Sequence, residues 1–471
     1  MKRAPGPAAG GALRRRRTRS SFGFSIFGFA LALPLLLGGC CTDPVNGERY
    51  FCLGEVSDAE EARIGERYAA SFIAQSGGIY PDPQLESYLG GIVIEQMANR
   101  SHRPHLPWEF HILNSSDVNA FALPGGKVFV TRGLLGHLQN EAQFAHLMGH
   151  EIGHVSHRHS VRGQGRAALF ALLLGVVTEV EGELLDDPDD PPLLSAAAGI
   201  AGQLTLLKFS RDQELQSDRR GVDYALQAGY DPREGRRTFQ TFLELKEGSG
   251  RGSTWIDGLL STHPLDRRRI DQLDEYIETE YPSLPAPGGK LVVTSGRWEA
   301  HTKRLRAAQR VYERHDRALT LIRAAHEGGD QAGLDEAEAL LRECARALPR
   351  HASFPLALGI LHLERHDTGS ALPHLDRACA LDGSLFGGRF ARSRARLLAG
   401  MLGPAGEDLR VAHDLFPLSP HPCFLLGETQ ERLGEPSEAA RWYRAVLERA
   451  PRDSALYRRA EERLRGHSAA S

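Results

Sequence analysis

Residues 141–156 read EAQFAHLMGHEIGHVS, which has the periodicity of one amphipathic helix, and Asn140 is a typical residue to cap its start. The segment contains His-Glu-x-x-His at 150–154, and imidazoles four residues apart lie on one side of a helix, close enough to share a zinc ion. Glu151 lies beside them, where a carboxylate can act as base toward a water activated by the metal. The residues predicted to share the buried helix face are Phe144, Leu147, Met148, Ile152 and Val155.

A zinc site of this kind needs a third protein ligand. The metzincin pattern requires Gly at position 157 and His at position 160, but the chain has His157 and Ser160, which excludes that class. Glu214 and Asp218 are again four residues apart on one helical face, so Glu214 can bind the metal while Asp218 orients a ligating histidine. Taken alone, this acidic pair would more simply indicate a helix face exposed to water. Its combination with the His-Glu-x-x-His motif upstream favours the metal site instead.

Helical and strand patterns are mixed around these two motifs, which favours an α+β domain. Ser57 and Glu60 form a capping box before the first helical pattern, and Pro124-Gly125-Gly126 is a hairpin turn between two strand patterns. The predicted helices extend from Ser57 to about Gln75 and over 83–99, and the predicted strands are 108–113, 118–123 and 127–131.

The joint pattern resembles the zinc metallopeptidase family that includes the CaaX prenyl protease and HtpX, and within it the BepA-like periplasmic lipoproteins. The likeness covers about residues 42–275, and Ser217 departs from the Ala that is usual before the Asp. Besides the two metal motifs, the segments that carry the resemblance are Asp43–Gly47, Asn119–Gly126, Thr262-His263-Pro264 and Arg269-Ile270.

The resemblance implies a zincin-like fold, mostly helical with a small sheet, and one Zn²⁺ per chain. It implies His150, His154 and Glu214 as zinc ligands, Glu151 as general base and Asp218 as the residue that orients a ligand. Three roles stay open for His263: an oxyanion donor, the fourth zinc ligand of a resting state, or a turn residue without a catalytic role. The edge strand that would pair with extended substrate contains Asn119, Ala120 and Phe121.

Other features near the motifs have less specific interpretations. His146, His157 and His159 are predicted to be packing or solvated residues, because three ligands are already assigned. The stretch 167–207 has two apolar parts separated by an acidic part. Two core helices joined by an exposed loop, or a membrane-facing or lid-like insertion, both fit this pattern.

The N-terminus has the layout of a bacterial lipoprotein signal over residues 1–39. Arg14–Arg17 form a basic block, 22–37 is an apolar run of 16 residues, and Gly38-Gly39 precede Cys40, the predicted lipidated residue. An apolar run of this length is shorter than the roughly 20 residues that a membrane-spanning helix needs. The alternative to a cleaved signal peptide is an uncleaved anchor helix. We therefore expect a periplasm-facing lipoprotein of the bacterial cell envelope, and Cys41 after the lipidated residue favours the outer membrane.

The net charge argues against nucleic acid as a partner. The chain carries a net charge of −3, and removal of residues 1–39 with their seven basic side chains leaves −10. Binding to nucleic acid would require a basic surface.

The C-terminal part shows a repeat of 34 residues, which resembles tetratricopeptide repeats. Pro349, Pro417 and Pro451 are 68 and 34 residues apart, and units at 318–351, 352–385, 386–419 and 420–453 place Ala337, Ala371, Ala405 and Ala439 at one equivalent position. Leu358-Gly359 and Leu426-Gly427 occupy equivalent positions in two of the units. The alternative to a tetratricopeptide-like array is a generic helical bundle. We expect a peptidase domain at 40–280, a linker at 281–301 and an all-α repeat superhelix at 302–465.

These features together predict an exported, lipid-anchored zinc metalloendopeptidase. Its expected substrates are misfolded or stalled envelope proteins, and its repeats are expected to bind substrates and envelope assembly proteins. The alternative is a chaperone-like adaptor whose peptidase site is mostly held shut.

Overall fold

The computed structural model describes residues 39–52, 56–162, 209–248, 257–286, 289–328 and 331–469. The stretch 167–207 lies outside these residues, as does the predicted signal segment apart from Gly39. Among the described helices, none combines the length and the apolar character needed to cross a membrane.

The N-terminal half of the chain combines helices with a three-stranded sheet. The strands are β3 (Glu109–Leu113), β4 (Ala120–Leu123) and β5 (Lys127–Thr131), after a small hairpin of β1 (Gly39–Thr42) and β2 (Arg49–Cys52). Its helices are α1 (Asp58–Gln75), α2 (Pro83–Gly90), α3 (Arg132–His137), α4 (Glu141–Ser156), α5 (Arg211–Gln227), α6 (Glu234–Gly248), α7 (Asp257–Thr262) and α8 (Arg267–Glu280). This mixture confirms the predicted α+β class.

The predicted helices and strands appear with small shifts of their ends. The Ser57 side chain caps α1, and the Asn140 side chain caps α4 by accepting the backbone N–H of Gln143. The helix predicted over 83–99 is present, but its pitch widens to a π-helix at Gly91–Met97 and tightens to a 3₁₀ turn at Ala98–Arg100.

The sheet has the order β3-β5-β4, with β3 parallel and β4 antiparallel to β5. Gly125 and Gly126 both have positive φ in the β4–β5 turn, and a Cβ on Gly125 would lie 2.4 Å from the Cα of Ala62. Only glycine therefore lets this turn pack against α1. Because β4 pairs with β5 on one side, its other side is an edge of the sheet.

The two faces of the sheet are covered by different helices. Ala120, Ala122 and Val130 pack with Phe144 and Ile152 of α4 on one face, within the main core of this half. Phe121, Leu123 and Phe129 pack on the other face against Phe72 of α1. The strand β4 thus lies beside the helix that carries the His-Glu-x-x-His motif.

The N-terminal hairpin is attached to the end of α4. Asp43, which follows β1, is buried and accepts a hydrogen bond from His157 Nδ1 at 2.7 Å, and it also pairs with Arg162. The pKa of Asp43 is lowered because these hydrogen bonds and charges outweigh the effect of burial. Cys41 is disulfide-bonded, whereas Cys344, Cys379 and Cys423 are buried free thiols.

The C-terminal half is all helical, and helices follow one another as antiparallel pairs with the predicted period. They are α9 (Gly296–Gly328), α10 (Gln331–Ala347), α11 (Ser353–Glu364), α12 (Thr368–Leu381), α13 (Phe386–Leu398), α14 (Leu402–Leu415), α15 (Pro420–Arg432), α16 (Pro436–Leu447) and α17 (Ala455–Ala469). The four repeat alanines are fully buried: Ala337, Ala371, Ala405 and Ala439. The predicted helical repeat class is confirmed.

Candidate metal centre

The two histidines of the motif lie on the buried face of α4, as their spacing predicts. Their Nε2 atoms are 3.0 Å apart, and both rings are almost completely buried. Helix α5 crosses α4 at this point through small residues: a Cβ on Gly153 would lie 3.2 Å from the Cα of Ser217, and one on Gly149 would lie 3.1 Å from the Cα of Gly221. This close approach brings Glu214 of α5 to the two imidazoles.

Four donor atoms converge on one point between α4, α5 and the segment after α7. His150, His154, Glu214 and His263 each place one ligand atom within 4.8 Å of all the others. The His263 Nδ1 atom is 3.0 Å from Glu214 Oε1 and 3.4 Å from His150 Nε2. The Glu214 carboxylate is 3.5 Å from His154 Nε2 and 3.7 Å from His150 Nε2.

This donor set fits a zinc ion in geometry. A tetrahedral site with bonds of ~2.1 Å has donor–donor distances of about 3.4 Å, and the distances here range from 3.0 to 3.7 Å. Three imidazole nitrogens and one carboxylate oxygen are also ligands that zinc accepts.

The charge of the cluster also fits a divalent cation. Glu151, Glu214 and Asp218 are buried carboxyl groups, and the nearby buried cation among the described residues is Arg269. With all three carboxyls ionised and the histidines neutral, the protein groups sum to a charge of −2. A buried excess of this sign is unfavourable unless a cation compensates it.

Asp218 and Arg269 are not among the four donor residues, but they contact these residues and orient them. Asp218 Oδ1 lies 2.9 Å from His150 Nδ1, so that His150 can donate there and keep Nε2 free for a metal. The Arg269 guanidinium forms a bidentate pair with Asp218, at 2.9 and 2.7 Å, and contacts Glu214 at 2.7 Å. Asp266 caps α8 and so places Arg269 in its first turn, facing α5. The resemblance had included Arg269 in a motif without assigning it this role.

His159 corrects the interpretation of the extra histidines. Its ring is buried, its Nδ1 lies 2.9 Å from His154 Nδ1, and its Nε2 lies 2.9 Å from Gln216 Oε1. If His154 binds metal through Nε2, its Nδ1–H donates to His159, whose Nε2–H then donates to Gln216. No local sequence pattern indicated the contact between His159 and Gln216, because the two residues are 57 positions apart. His146 and His157 are buried as packing residues.

Glu151 lies between the donor cluster and the edge strand. It is buried and accepts a hydrogen bond from the backbone N–H of Ala122 on β4. Burial raises the pKa of Glu151 above its ordinary value, and the nearby His263 and His150 lower it less than burial raises it. His263 Nε2 lies 3.7 Å from Glu151 Oε1. The pKa of His263 is raised: burial lowers it, but the Glu214 and Glu151 carboxylates outweigh burial.

Two residues of the predicted edge strand, Phe121 and Asn119, have side chains that do not face the donor cluster. The Phe121 side chain lies on the opposite face of the sheet, and the Asn119 side chain is buried in the protein. The ring of Phe121 packs on Phe72 and Phe129, both with centroids 5.0 Å away, on the face opposite α4. The side chain of Asn119 is buried, and neither of its amide atoms has a hydrogen-bond partner among the described residues. Only the backbone of β4, with Ala122 beside Glu151, is presented to the catalytic side.

A pocket of about 320 Å³ adjoins the donor cluster. His150, Glu151, His263 and Arg269 form its polar end. The remainder is apolar and is lined by Leu147, Phe239, Phe242, Leu259, Leu260 and Leu265. The pocket can receive an apolar side chain next to the reacting groups.

Comparison with known proteins identifies the segment that holds this centre. Residues 85–277 match the profile of Peptidase family M48. The mitochondrial metalloendopeptidase OMA1 of Arabidopsis thaliana is 33% identical over 172 residues, covering 36% of this chain and 32% of that protein. The beta-barrel assembly-enhancing protease of Escherichia coli K12 is 28% identical over 220 residues, covering 46% of this chain and 43% of that protein. This chain therefore spans less than half the length of both relatives.

One solved structure aligns with a part of this chain. The structure of MamA aligns with 31% of this chain and 82% of its own length, at 17% identity and a TM-score of 0.28.

Proposed function

We propose that this protein is a zinc-dependent endopeptidase, a proposal supported by the match of residues 85–277 to the profile of Peptidase family M48. The observation that carries the proposal is the buried cluster of His150, His154, Glu214 and His263, whose spacing and charge suit one zinc ion. Glu151, placed beside the cluster, supports hydrolysis as the reaction. The domain limits that accompany this proposal are 40–280 for the peptidase, 281–301 for the linker and 302–465 for the repeats.

The residues of the site have separate roles in peptide hydrolysis. His150, His154 and Glu214 would hold a zinc ion, which would supply Lewis-acid activation of a water and of the scissile carbonyl. Glu151 accepts the proton of the attacking water and returns it to the leaving amine. Asp218 keeps the His150 ring in the orientation and tautomer that bind metal.

The substrate backbone is proposed to add to the free edge of β4. The Ala122 N–H is bonded to Glu151 rather than to β5, so this edge faces the catalytic carboxylate. An extended peptide along Asn119, Ala120 and Phe121 would form main-chain hydrogen bonds and bring its carbonyl to the donor cluster.

The position of His263 favours one of its three predicted roles. Its Nδ1 lies among the donor atoms at 3.0 Å from Glu214, which supports a fourth ligand in a resting state over an oxyanion donor or a turn residue. The same observation favours a second function, a chaperone-like adaptor whose peptidase site is mostly shut, because a fourth protein donor occupies the position that substrate needs.

The cellular setting is proposed from the N-terminus and from the relatives. We propose that residues 1–39 are a signal peptide and that acylated Cys40 holds a periplasm-facing lipoprotein in the bacterial cell envelope, at the outer membrane. The name of the beta-barrel assembly-enhancing protease supports misfolded or stalled envelope proteins as substrates. The repeats would bind these substrates and envelope assembly proteins, and no nucleic acid.

The decisive experiment compares Glu151→Gln with wild type on an unfolded protein, β-casein. We expect the variant to keep one zinc per chain and to lose at least ~100-fold in cleavage rate, because proton transfer contributes about 10²–10⁴-fold. The matched control is Glu66→Gln, an exposed residue of α1. Equal cleavage by Glu151→Gln, or wild-type protein that binds no zinc, would contradict the peptidase. Binding of β-casein with no cleavage by wild type would favour the adaptor.

A further inference from the structure

A second cleft lies where the sheet domain meets the helical repeats. Its empty volume is about 700 Å³, which includes space open to solvent. One wall comes from the end of α1 and from the loop 114–117, which leads into β4. The other wall comes from the repeat helices α9, α11 and α13. Asn114 Nδ2 donates to Ser353 Oγ at 3.0 Å, a contact that joins the two walls.

The cleft contains a buried polar side chain without partners. Gln75, the last residue of α1, is 5% exposed and lines the cleft. Neither its amide nitrogen nor its amide oxygen has a hydrogen-bond partner among the described residues. A buried amide in this state is costly, and a peptide unit, with one N–H and one C=O, is the complement of both atoms.

The two walls differ in polarity in a way that suits a polypeptide. The wall on the sheet side includes the amide of Gln75, whereas the repeat wall contributes the apolar side chains of the cleft, Leu319, Leu356 and Ile360, beside the polar residues His315, Asp316 and Ser353. An extended chain offers its polar backbone on one side and apolar side chains on another. The cleft can therefore take both parts of such a segment at once.

An anionic ligand fits this cleft less well. Its arginine, Arg132, is already engaged: the guanidinium lies over the Tyr312 ring at 3.9 Å, donates to Asn114 Oδ1 at 3.1 Å and is 3.5 Å from Asp316. Asp117 and Asp316 also line the cleft and would repel a carboxylate or phosphate.

The cleft lies a short distance along the chain from the part of β4 beside Glu151. The loop residue Asp117 is five positions before Ala122, whose N–H contacts Glu151. Five residues span at most about 17 Å of chain. A substrate segment that runs along β4 from the catalytic centre reaches the cleft after about five residues.

We propose that this cleft is an exosite that binds an extended, uncharged segment of the polypeptide substrate, with an apolar side chain against Leu356 and a peptide unit on Gln75. This inference rests on the proposed peptidase function, because it extends the substrate from the same edge strand. Binding at the exosite makes long unfolded chains better substrates than short peptides.

The binding test uses zinc-loaded Glu151→Gln protein and fluorescein-labelled β-casein, followed by fluorescence anisotropy. Leu356→Arg places a charge on the apolar wall, and Leu398→Arg, at a 68% exposed leucine of the same repeats, is the matched control. We expect about tenfold weaker binding for Leu356→Arg and less than about twofold change for Leu398→Arg. Equal dissociation constants for the two variants would overturn the exosite.

Gln75→Leu keeps the test decisive if Leu356→Arg does not fold. It removes an amide without partners, so the thermal midpoint should not fall, whereas β-casein binding should weaken about three- to tenfold. Unchanged binding by a folded Gln75→Leu protein would also overturn the proposal.

A cleavage test separates the exosite from the peptidase function. With Glu151 intact, Gln75→Leu should lower kcat/KM for β-casein about three- to tenfold and leave an octapeptide that spans the cleavage site within about twofold. An equal loss on both substrates would overturn the exosite. If wild type cleaves neither substrate, the peptidase function fails, and the anisotropy result alone decides whether the cleft binds polypeptide.

Discussion

Each half of the molecule contains a cluster of ionised groups around a buried acid, and the two clusters differ in the ratio of arginines to buried acids. In the sheet domain, Arg269 alone serves two buried acids, Glu214 and Asp218. In the repeats, one buried acid, Asp408, is contacted by three arginines, Arg389, Arg392 and Arg396.

This difference separates a site that suits a bound cation from a structural contact. The repeat cluster has more cations than anions and every acceptor oxygen of Asp408 has a donor, so it stabilises the packing of α13 on α14 without any ligand. The cluster at the metal centre has more anions than cations and also contains histidines that point their free nitrogens at one another. A further positive charge would stabilise such an arrangement.

The largest expected effect comes from breaking the cluster with a single arginine. Arg269→Met leaves Glu214 and Asp218 buried without the arginine charge, which should destabilise the metal-free protein by about 3–5 kcal/mol and destabilise the zinc-loaded protein less, because zinc supplies positive charge in its place. Urea denaturation of the metal-free and zinc-loaded protein measures both effects.

The matched substitution in the repeats is Arg392→Met. Two arginines remain on Asp408, so we expect a loss of ~1 kcal/mol or less and no change in zinc binding. If both variants lose equal stability, the two clusters are equivalent, and the argument for a cation site from charge fails.

A smaller effect is expected from the histidine behind His154. His159→Ala removes the acceptor for His154 Nδ1–H and should weaken zinc binding about 10–100-fold, as measured by competition with a chelator. His159→Asn keeps an acceptor near the Nδ1 position and should restore part of the affinity.

The control for this effect is His157→Ala. His157 stacks on His159 but bonds to Asp43 and to no metal donor, so its removal should lower stability and leave zinc affinity nearly unchanged. Cobalt-substituted protein gives an independent readout, because the visible absorption of Co²⁺ reports a change in ligand geometry. Unaltered zinc affinity and an unaltered cobalt spectrum in His159→Ala would show that His159 does not position His154.

The two halves also differ in how far the sequence predicts them. In the repeats, every contact that defines a unit lies within about one period, so Ala337, Ala371, Ala405 and Ala439 were sufficient to predict the helix pairs. The helix with the His-Glu-x-x-His motif was equally predictable, because capping by Asn140 and the apolar face are local.

The surroundings of the metal centre depend on contacts between distant segments, and spacing alone could not reveal them. Arg269 is 51 residues from Asp218, and Gln216 is 57 residues from His159. The small residues Gly149, Gly153, Ser217 and Gly221 set the approach of α4 and α5, yet a glycine in a helix has several possible causes. The cleft beside Gln75 combines residues of both halves and has no local pattern at all.

The last comparison tests the repeats by packing alone, without charge. A Cβ on Gly427 would lie 2.5 Å from the ring of Tyr443, so Gly427→Ala forces α15 and α16 apart and should destabilise the protein by about 1–3 kcal/mol. Gly403→Ala is the matched control, because nothing lies within 4 Å of its Cβ position in α14, and we expect a gain of up to ~1 kcal/mol there. Urea denaturation measures both changes, and zinc affinity should be unchanged in both variants, because neither residue contacts the metal cluster. Weaker zinc binding in Gly427→Ala would mean that the repeats support the metal centre directly, which would contradict the assignment of zinc binding to the sheet domain alone.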